Sequence, residues 1–554
     1  MATATATEIL SESQPMAPPV RWRPRVNPWI VALTVTLATF MEVLDSSIAN
    51  VSLPHIAGGL GSTQDEATWV ITAYLVANAI ILPAGAYMTT FIGRKKFYMI
   101  CVLLFGISSA MCGFAPSLPL LIFFRVLQGI GGGGLAPSEQ SILADTFPPE
   151  KRGQAFALYG LAVVCAPAIG PTLGGYITDN FNWRWIFFLN VPVCILSLFL
   201  TSRIVEDPPW IEKEVKASQK GGIKLDLIGF ALLALTFGSL EFVLDKGQED
   251  DWFSSHLIAF FAVTMVVAFV LMIWWELRQL RVGHRPILNL TLFKRRSFAI
   301  SFTLMFILGF ALYGTTILIP QFVQTLLGYT AELSGKVLSP AGFLMMAMMP
   351  VVGFLSGKVD ARKLIGYGFF MLTMALLYMG KMNLGLSYGE LVFMRCFQVS
   401  GLAFLFIPIN TISYVGAKQT ESNDVSGLMN LARNIGGSSG TAFMATMLIR
   451  RTAAHETSMV RHMNPGSAGF TAQVTALAGR FKAGNGAGIS GGPFGGASAG
   501  AIHQAQAFIY NQMHRQAAML AYVDIVRYLT IFAACMIPLL FFIPRPPRGM
   551  HAGH

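Results

Sequence analysis

The sequence predicts an all-α membrane protein that crosses the bilayer fourteen times. Of its 554 residues, 54% are hydrophobic and only 12% are charged, about half of the 25% that is typical of soluble domains. The apolar residues form long runs of roughly 20 residues, the length that an α-helix needs to cross a bilayer, and not the short alternating segments of a β-barrel. Clusters of Lys and Arg separate the runs, which is typical of membrane proteins whose basic loops stay in the cytoplasm.

Fourteen apolar segments are candidate membrane-spanning helices. They cover residues 28–50, 67–90, 97–115, 118–140, 153–177, 184–203, 225–245, 255–276, 297–320, 333–356, 363–382, 389–415, 425–449 and 521–543. Basic residues concentrate in every second loop, which predicts an even number of spans with both termini in the cytoplasm. Residues 1–27 and 544–554 are then cytoplasmic tails.

Two unusual loops divide the predicted helices into groups. A charged cytoplasmic linker at 204–224 follows the first six spans, which occupy 28–203. An inserted pair of spans at 225–276 precedes the second group of six, which occupies 277–543. This second group contains a long periplasmic loop at 450–520, whose richness in Gly and Ala indicates flexibility and little core of its own.

The two groups of six carry a matching motif. Arg125 and Gln128 lie three residues apart in the fourth span, and Arg395 and Gln398 have the same spacing in the twelfth. Matched segments in two halves are typical of transporters that are built from repeats and bind substrate between the repeats.

Charged residues inside the predicted spans are the main functional signal. Glu42 and Asp45 lie in the first span, where a carboxylate costs about 3 kcal/mol near the bilayer centre. An intramembrane Arg needs a carboxylate, carbonyl groups or water as a partner. We therefore expect Arg125 to pair with Asp45 or Glu42 in a proton-coupling site, and two acids that both titrate would do so as a coupled pair. The alternative is that Asp45 lies at the outer interface and is solvated.

Glycine and proline mark two further candidate regions. Gly85, Gly93 and Arg94 suggest a gating turn on the cytoplasmic side whose basic cluster contacts lipid headgroups, although membrane topology alone also explains this cluster. Gly170, Pro171 and Gly174 make the fifth span bendable, so this segment is either a hinge or seal, or a kinked structural helix.

Several functional classes are disfavoured. The net charge is +11, but the basic residues lie in short loops and not in one stripe, so nucleic-acid binding is not expected. The six cysteines lack metal-ligand spacing. Phosphate-binding loops and hydrolase motifs are also missing from the sequence, so we expect neither enzymatic activity nor a metal or cofactor.

Six motifs taken in order resemble the fourteen-span drug:proton antiporters of the major facilitator superfamily, the EmrB/QacA type, and most of all its EmrB-like branch. The motifs are residues 44–54, 68–74, 125–129, 170–175, 183–192 and 426–437. The resemblance implies a major facilitator fold, with two six-helix bundles and two inserted helices. It also adds residues that are candidates for the substrate cavity or for gating. These are Asn50, Gln128, Asn430, Arg433, Gly170, Pro171 and Gly174.

The resemblance implies a proton-driven exporter of lipophilic toxic compounds in the bacterial inner membrane. It further implies that the chain is the inner-membrane part of a tripartite pump, with a periplasmic membrane-fusion adaptor and an outer-membrane channel as partners. On the same fold, the alternatives are an exporter of a dedicated metabolite or siderophore, or an importer. A membrane receptor or scaffold that transports nothing is a further alternative.

The chain departs from the family pattern at three places. Thr89 stands where the family usually has Asp, which puts the charge relay assigned to that Asp in doubt. Glu42 is an acid where a neutral residue is common, and the loop at 450–520 is longer and richer in Gly.

Overall fold

The computed structural model describes residues 22, 24–220, 226–461, 463, 467–481 and 499–542. The predicted tail 544–554 and most of the tail 1–27 lie outside the described residues, as do 482–498 within the predicted long loop. The described residues form α-helices joined by short turns and 3-10 segments.

The first half contains six long helical segments, of which the fourth and sixth are each two joined helices. They are α1 (Pro28–Leu60), α2 (Gln64–Ile92), α3 (Arg94–Phe114), α4 (Leu118–Gly133) with α5 (Leu135–Thr146), α6 (Arg152–Asn180), and α7 (Trp185–Phe188) with α8 (Asn190–Ile204). The linker then forms the helix α9 (Pro209–Lys220), and the inserted pair is α10 (Leu227–Lys246) and α11 (His256–Val282).

The second half repeats the pattern and adds a short helix before its last member. Its helices are α12 (Arg296–Thr325), α13 (Ala331–Ser356), α14 (Ala361–Met379), α15 (Tyr388–Ser413), α16 (Ser422–Val460), α17 (Ala468–Phe481) and α18 (Ala499–Met536). Each of the fourteen predicted spans therefore coincides with a helix or with a joined pair of helices.

Length and apolarity distinguish the helices as membrane spans. Within the described part of the chain, eleven helices are long and apolar enough to cross a bilayer, or twelve when the bent α6 is counted as one span. α14 and α16 are not among them. In α16 the reason is visible in the sequence, because its first half is rich in Ser, Asn and Gly, and these residues are buried against other helices and not exposed to lipid.

Each half has its own closely packed helix pairs, and the halves also share extensive contacts with each other. In the first half α1 packs on α6 and α2 on α4, and in the second half α12 packs on α16 and α14 on α15. The halves meet where α13 packs on α6 and where α16 packs on α2 and α5. The inserted α10 packs on α2 and α11.

The glycines of α4 let three helices approach closely. A Cβ atom added at Gly131 would lie 2.6 Å from Phe105 N in α3, and one added at Gly133 would lie 2.6 Å from Asn78 O in α2. Only glycine fits at such distances, as in other tightly packed membrane helices. This packing fixes α2 beside α4, where the candidate site is built.

The prediction of a flexible loop at 450–520 is wrong for the residues that the structure describes. α16 extends to Val460, α18 begins at Ala499, and α17 lies between them. Val474 of α17 and Ala501 of α18 belong to one small buried cluster. Alanine is the best helix former, so Ala-rich sequence between the Gly runs favours helix over a flexible chain.

We name the two ends of the molecule by these segments. The end beside α9, where α3 and α16 begin, is called the linker face. The end beside α17 is called the opposite face.

Candidate functional site

A buried ion pair joins α1 to α4. Arg125 Nη1 lies 2.6 Å from Asp45 Oδ2, and the side chains of both residues are almost fully buried, with relative exposures of 2% for Asp45 and 0% for Arg125. The other Asp45 oxygen accepts a hydrogen bond of 2.6 Å from Asn190 Nδ2 in α8. The expected contact between Asp45 and Arg125 is therefore present, and the solvated alternative for Asp45 does not hold.

Arg125 has further partners that hold its guanidinium in place. Its Nε donates to Val70 O at 3.0 Å, and its Nη1 also donates to Gln128 Oε1 at 2.8 Å. The guanidinium lies 4.3 Å from the centre of the Tyr74 ring, within the range of a cation–π contact. Removing one member of such a buried pair typically costs about 3–5 kcal/mol, because the other charge is left uncompensated.

Glu42 has a different environment from Asp45. It accepts hydrogen bonds from Tyr74 Oη and Asn78 Nδ2, each at 3.1 Å, and it has no ion pair with Arg125 among the described residues. Of the two candidate acids, Asp45 is thus the partner of Arg125. Tyr74 connects them, since its hydroxyl contacts Glu42 while its ring lies under the guanidinium.

A second polar network crosses the boundary between the halves. Gln140 of α5 accepts from Asn430 Nδ2 at 2.9 Å and donates to Asn410 Oδ1 at 3.2 Å. Tyr159 of α6 donates to Asn430 Oδ1 at 2.8 Å and accepts from Arg433 Nη1 at 2.5 Å. The candidate residues Asn430 and Arg433 therefore lie on the surface of α16 that contacts the first half.

The first network reaches this boundary through one weak contact. Asn434 Nδ2 of α16 lies 3.5 Å from Asn78 Oδ1, and Asn78 in turn donates to Glu42. Polar side chains thus follow one another from Asp45 through Arg125, Tyr74 and Glu42 to the second half.

At the linker face hydrogen bonds join the halves, and one of them goes to an ion pair within the first half. Arg94 Nη2 lies 2.8 Å from Asp145 Oδ2, and Ser422 Oγ of the second half donates to the other Asp145 oxygen at 2.8 Å. Asn423 Nδ2 donates to Thr89 Oγ1 at 2.8 Å. Thr89 therefore supplies a neutral hydrogen bond between the halves at the position where an Asp was expected.

Two expectations for the gating turn are wrong. Gly93 does form the turn, with a φ of 85° that favours glycine, but Gly85 lies inside α2, where an added Cβ would be 3.3 Å from the Phe97 ring. Arg94 does not contact headgroups, because it is 1% exposed and paired with Asp145. Ion pairing within the protein replaces the lipid contact that was inferred from charge alone.

The bendable segment lies where α6 contacts α1. α6 bends by 41° between residues 152–167 and 169–180. A Cβ at Gly170 would collide with the Ser47 side chain, and one at Gly174 would be 3.1 Å from Ile48 Cγ2. Pro171 lies between these glycines. Asn50 does not join the polar networks, since its side chain is exposed and donates to Ser46 O of its own helix.

Several polar residues of these networks were missed from the sequence. Tyr74 and Asn190 lie in motifs that carried the family resemblance, so the signal was present but had no assigned contact. Glu139 is a buried acid in the fourth predicted span, the same signal that identified Asp45. It accepts from Thr36 Oγ1 at 2.6 Å, and its Oε2 has no hydrogen-bond partner among the described residues.

The repeated motif of the second half has the same internal hydrogen bond. Arg395 Nη1 donates to Gln398 Oε1 at 2.8 Å, as Arg125 does to Gln128. Its other partners are the hydroxyls of Thr316, 2.8 Å from Nη2, and Thr315, 3.3 Å from Nη1. Within the described residues, Arg395 has no ion pair. In that same part of the chain, no group of three or more His, Cys, Asp or Glu side chains is placed to hold a metal ion.

Comparisons with known proteins agree with this architecture. The sequence profile of the Major Facilitator Superfamily matches residues 35–441. The multidrug export protein EmrB of Escherichia coli strain K12 is 38% identical over 81% of this chain and 86% of its own length. The fatty acid resistance protein FarB of Neisseria gonorrhoeae is 36% identical over 79% of this chain and 84% of its own. The crystal structure of the proton:xylose symporter XylE has a TM-score of 0.57 at 15% identity, and covers 94% of this chain and 96% of its own.

The two related helical halves and the polar site at their boundary define a multi-pass transporter of the major facilitator fold. The chain belongs to the major facilitator superfamily and, within it, to the EmrB-like family. The fold class and the family inferred from the sequence are both confirmed.

Proposed function

We propose that the chain is a multidrug exporter that exchanges lipophilic compounds for protons by alternating access. Relatives named as multidrug export proteins support the export of drugs. The observation that carries the proton coupling is the ion pair between Asp45 and Arg125, which is buried away from water and shared between α1 and α4.

Protonation of Asp45 supplies the coupling step. A proton that binds Asp45 removes one charge of the pair, so Arg125 loses its carboxylate partner and keeps Gln128, Val70 O and the Tyr74 ring. A rearrangement of the ion pair would then also affect the network between the halves, because Tyr74 and Glu42 lie between the two. One charge moved through 100 mV contributes about 2.3 kcal/mol, which corresponds to roughly fiftyfold accumulation.

The conformation of the structure fits one end state of such a cycle. The hydrogen bonds that α16 makes to the six helical segments of the first half run from Ser422 to Asn434, the half of α16 nearer the linker face. This distribution supports a state closed at the linker face. Release of drug at the opposite face then requires no further rupture of these bonds.

The topology follows from charge. Lys95, Lys96 and Arg152 lie at the linker face, and basic loops favour the cytoplasm. We therefore assign the linker face and both termini to the cytoplasm of a bacterial inner membrane. We assign α17 and the outer parts of α16 and α18 to the periplasm, where the membrane-fusion adaptor of a tripartite pump would dock. Protons drive this mechanism without a cofactor.

Inverted membrane vesicles test the proposal directly. With an imposed pH gradient, vesicles that contain the protein should accumulate a lipophilic dye, and dissipation of the gradient should release it. Equal dye uptake with and without the gradient would contradict proton coupling. Absence of uptake across a panel of lipophilic compounds would contradict multidrug export.

A further inference from the structure

A small cavity lies beside Arg395 at the boundary between the halves. We call it the Arg395 pocket. Its walls come from α6 of the first half and from α12, α13 and α15 of the second half, and apart from Arg395, Thr316 and Tyr313 they are mainly apolar. The pocket therefore combines one cationic group with a hydrophobic lining, the arrangement that recognises an amphipathic ligand.

The charge of Arg395 is unbalanced in the described structure. Its side chain is 6% exposed, and its hydrogen bonds go to the neutral oxygens of Gln398, Thr315 and Thr316. A guanidinium in an apolar setting is costly without an anion, and a carboxylate matches its fork of donors better than a hydroxyl does. An anionic ligand would complete this site as Asp45 completes the site of Arg125.

A second cavity lies next to the first, nearer the outer surface of the helices. Gly342 lines both cavities, and the second is also lined by Cys165, Ile169 and Phe343. Phe343 is 63% exposed, on a face of α13 that no described helix covers. Pro167 and Ile169, at the bend of α6, line the first and the second cavity respectively, so a change in this bend would alter the space between α6 and α13.

We propose that the Arg395 pocket binds the carboxylate of an amphipathic organic acid, with its apolar tail directed between α6 and α13. This inference rests on the proposed function and names one substrate class for it. The cavity measures about 40 Å³, whereas pockets for whole drug-sized ligands measure about 300–1,000 Å³. In the present conformation the cavity has room for the acidic head group alone. Binding of the apolar tail requires α6 and α13 to move apart.

Binding to the full-length protein in phosphatidylcholine nanodiscs tests this inference. The probes are dansyl-undecanoic acid and its methyl ester, which differ in the carboxylate alone. Arg395→Gln should weaken binding of the acid by about tenfold or more, because a charge-assisted hydrogen bond is lost, and should leave binding of the ester unchanged. Arg395→Lys should retain part of the affinity for the acid. Equal affinity of the wild type and Arg395→Gln for the acid would overturn the proposal.

A variant that keeps Arg395 tests the apolar part of the pocket. Val399→Phe fills space in the wall and should weaken binding of the acid and the ester together. Unchanged binding of the acid to Val399→Phe would show that the ligand does not enter the Arg395 pocket and would overturn the proposal. Nanodiscs that contain phosphatidylglycerol form a further arm, because displacement of the probe by this lipid would assign the cation to a lipid phosphate and overturn the carboxylic-acid assignment.

Dye transport separates this inference from the proposed function. Wild-type protein should transport a cationic lipophilic dye under a pH gradient, and this result does not depend on whether the Arg395 pocket binds the acid. Dye transport without selective acid binding would refute the Arg395 pocket and leave the exporter intact. Failure of the wild type to transport any compound would refute the exporter, whatever the probe binds.

Discussion

The sites of Arg125 and Arg395 are two versions of one motif with different electrostatics. Both guanidiniums donate to a Gln one turn further along the helix at 2.8 Å. Arg125 then meets a carboxylate, whereas Arg395 meets two threonine hydroxyls. The repeated motif therefore provides a buried cation in each half. In the first half Asp45 of α1 balances the charge of Arg125, whereas α12 supplies only neutral hydroxyls to Arg395 in the second half.

This difference separates two tasks. A closed ion pair responds to a proton, because protonation of its acid changes its charge. An open cation responds to an anion that comes from outside the described protein. Under the two proposals above, the same helix packing would serve proton coupling in one half and ligand recognition in the other, and the predictions below test this division.

Asp45→Asn should have the largest effect. The amide keeps the size of the side chain but removes the group that binds a proton, so uptake of dye driven by a pH gradient should fall to background while the amount of protein in the membrane stays normal. Uptake into inverted vesicles and quantitative immunoblotting measure the two quantities. The matched control is Asp250→Asn, which changes an exposed carboxylate outside the polar networks and should transport at nearly the wild-type rate. Full transport by Asp45→Asn would remove this residue from the mechanism.

Arg125→Ala should destabilise the protein more than Arg395→Ala does. The first change leaves Asp45 buried without a counter-charge, at a cost of about 3–5 kcal/mol. The second leaves neutral oxygens without donors, at about 1–3 kcal/mol. Thermal unfolding of both variants in the same detergent compares them. Equal melting temperatures would show that the two sites do not differ in charge balance as the structure indicates.

Thr89→Val should weaken the contact between the halves at the linker face. Loss of its hydrogen bond from Asn423 removes about 1 kcal/mol and should increase opening of this face about fivefold. The rate at which a thiol reagent labels Ser426→Cys, in a background with Cys535→Ser, reports this opening. Thr90→Val is the control, because the Thr90 hydroxyl donates to Tyr87 O within its own helix. Equal labelling of the two variants would contradict a role for the Thr89 hydrogen bond in keeping the linker face closed.

Asp207→Asn should have the smallest effect, and one that depends on pH. Desolvation raises the pKa of Asp207, although the Lys95 backbone N–H that donates to it opposes this rise. A raised pKa in the folded state means that the fold disfavours the ionised carboxylate, so stability falls as pH rises from the unfolded pKa through the folded one. The Asn variant, which still accepts from Lys95, should therefore melt slightly higher at neutral pH and lose this advantage at acidic pH. A variant that melts lower at neutral pH would contradict the sign.

Hydrophobic runs predicted the fourteen helical segments because bilayer thickness dictates their length. The pairing of Asp45 with Arg125 was also predictable, since a buried charge needs a partner. The burial of Arg94 was not predictable. A basic residue at the end of a span gives the same sequence pattern whether its side chain contacts lipid headgroups or pairs with Asp145. Contacts across the halves, such as that of Gln140 with Asn430, depend on how two helices distant in sequence pack. Helix formation at 499–520 was missed because the neighbouring Gly runs dominated the composition.

The length of α16 has a mechanical consequence. Its hydrogen bonds to the six helical segments of the first half end at Asn434, yet the helix continues to Val460, a span of roughly 40 Å at 1.5 Å per residue. Because α12 and α18 pack along α16, a tilt of the second half by about 10° would displace this end of the helix by roughly 7 Å at this length. The tip is tied to α18 through Arg451 and Asp524. The end of α16 at Val460 is therefore the part of this helix where a small rotation between the halves would produce the largest movement.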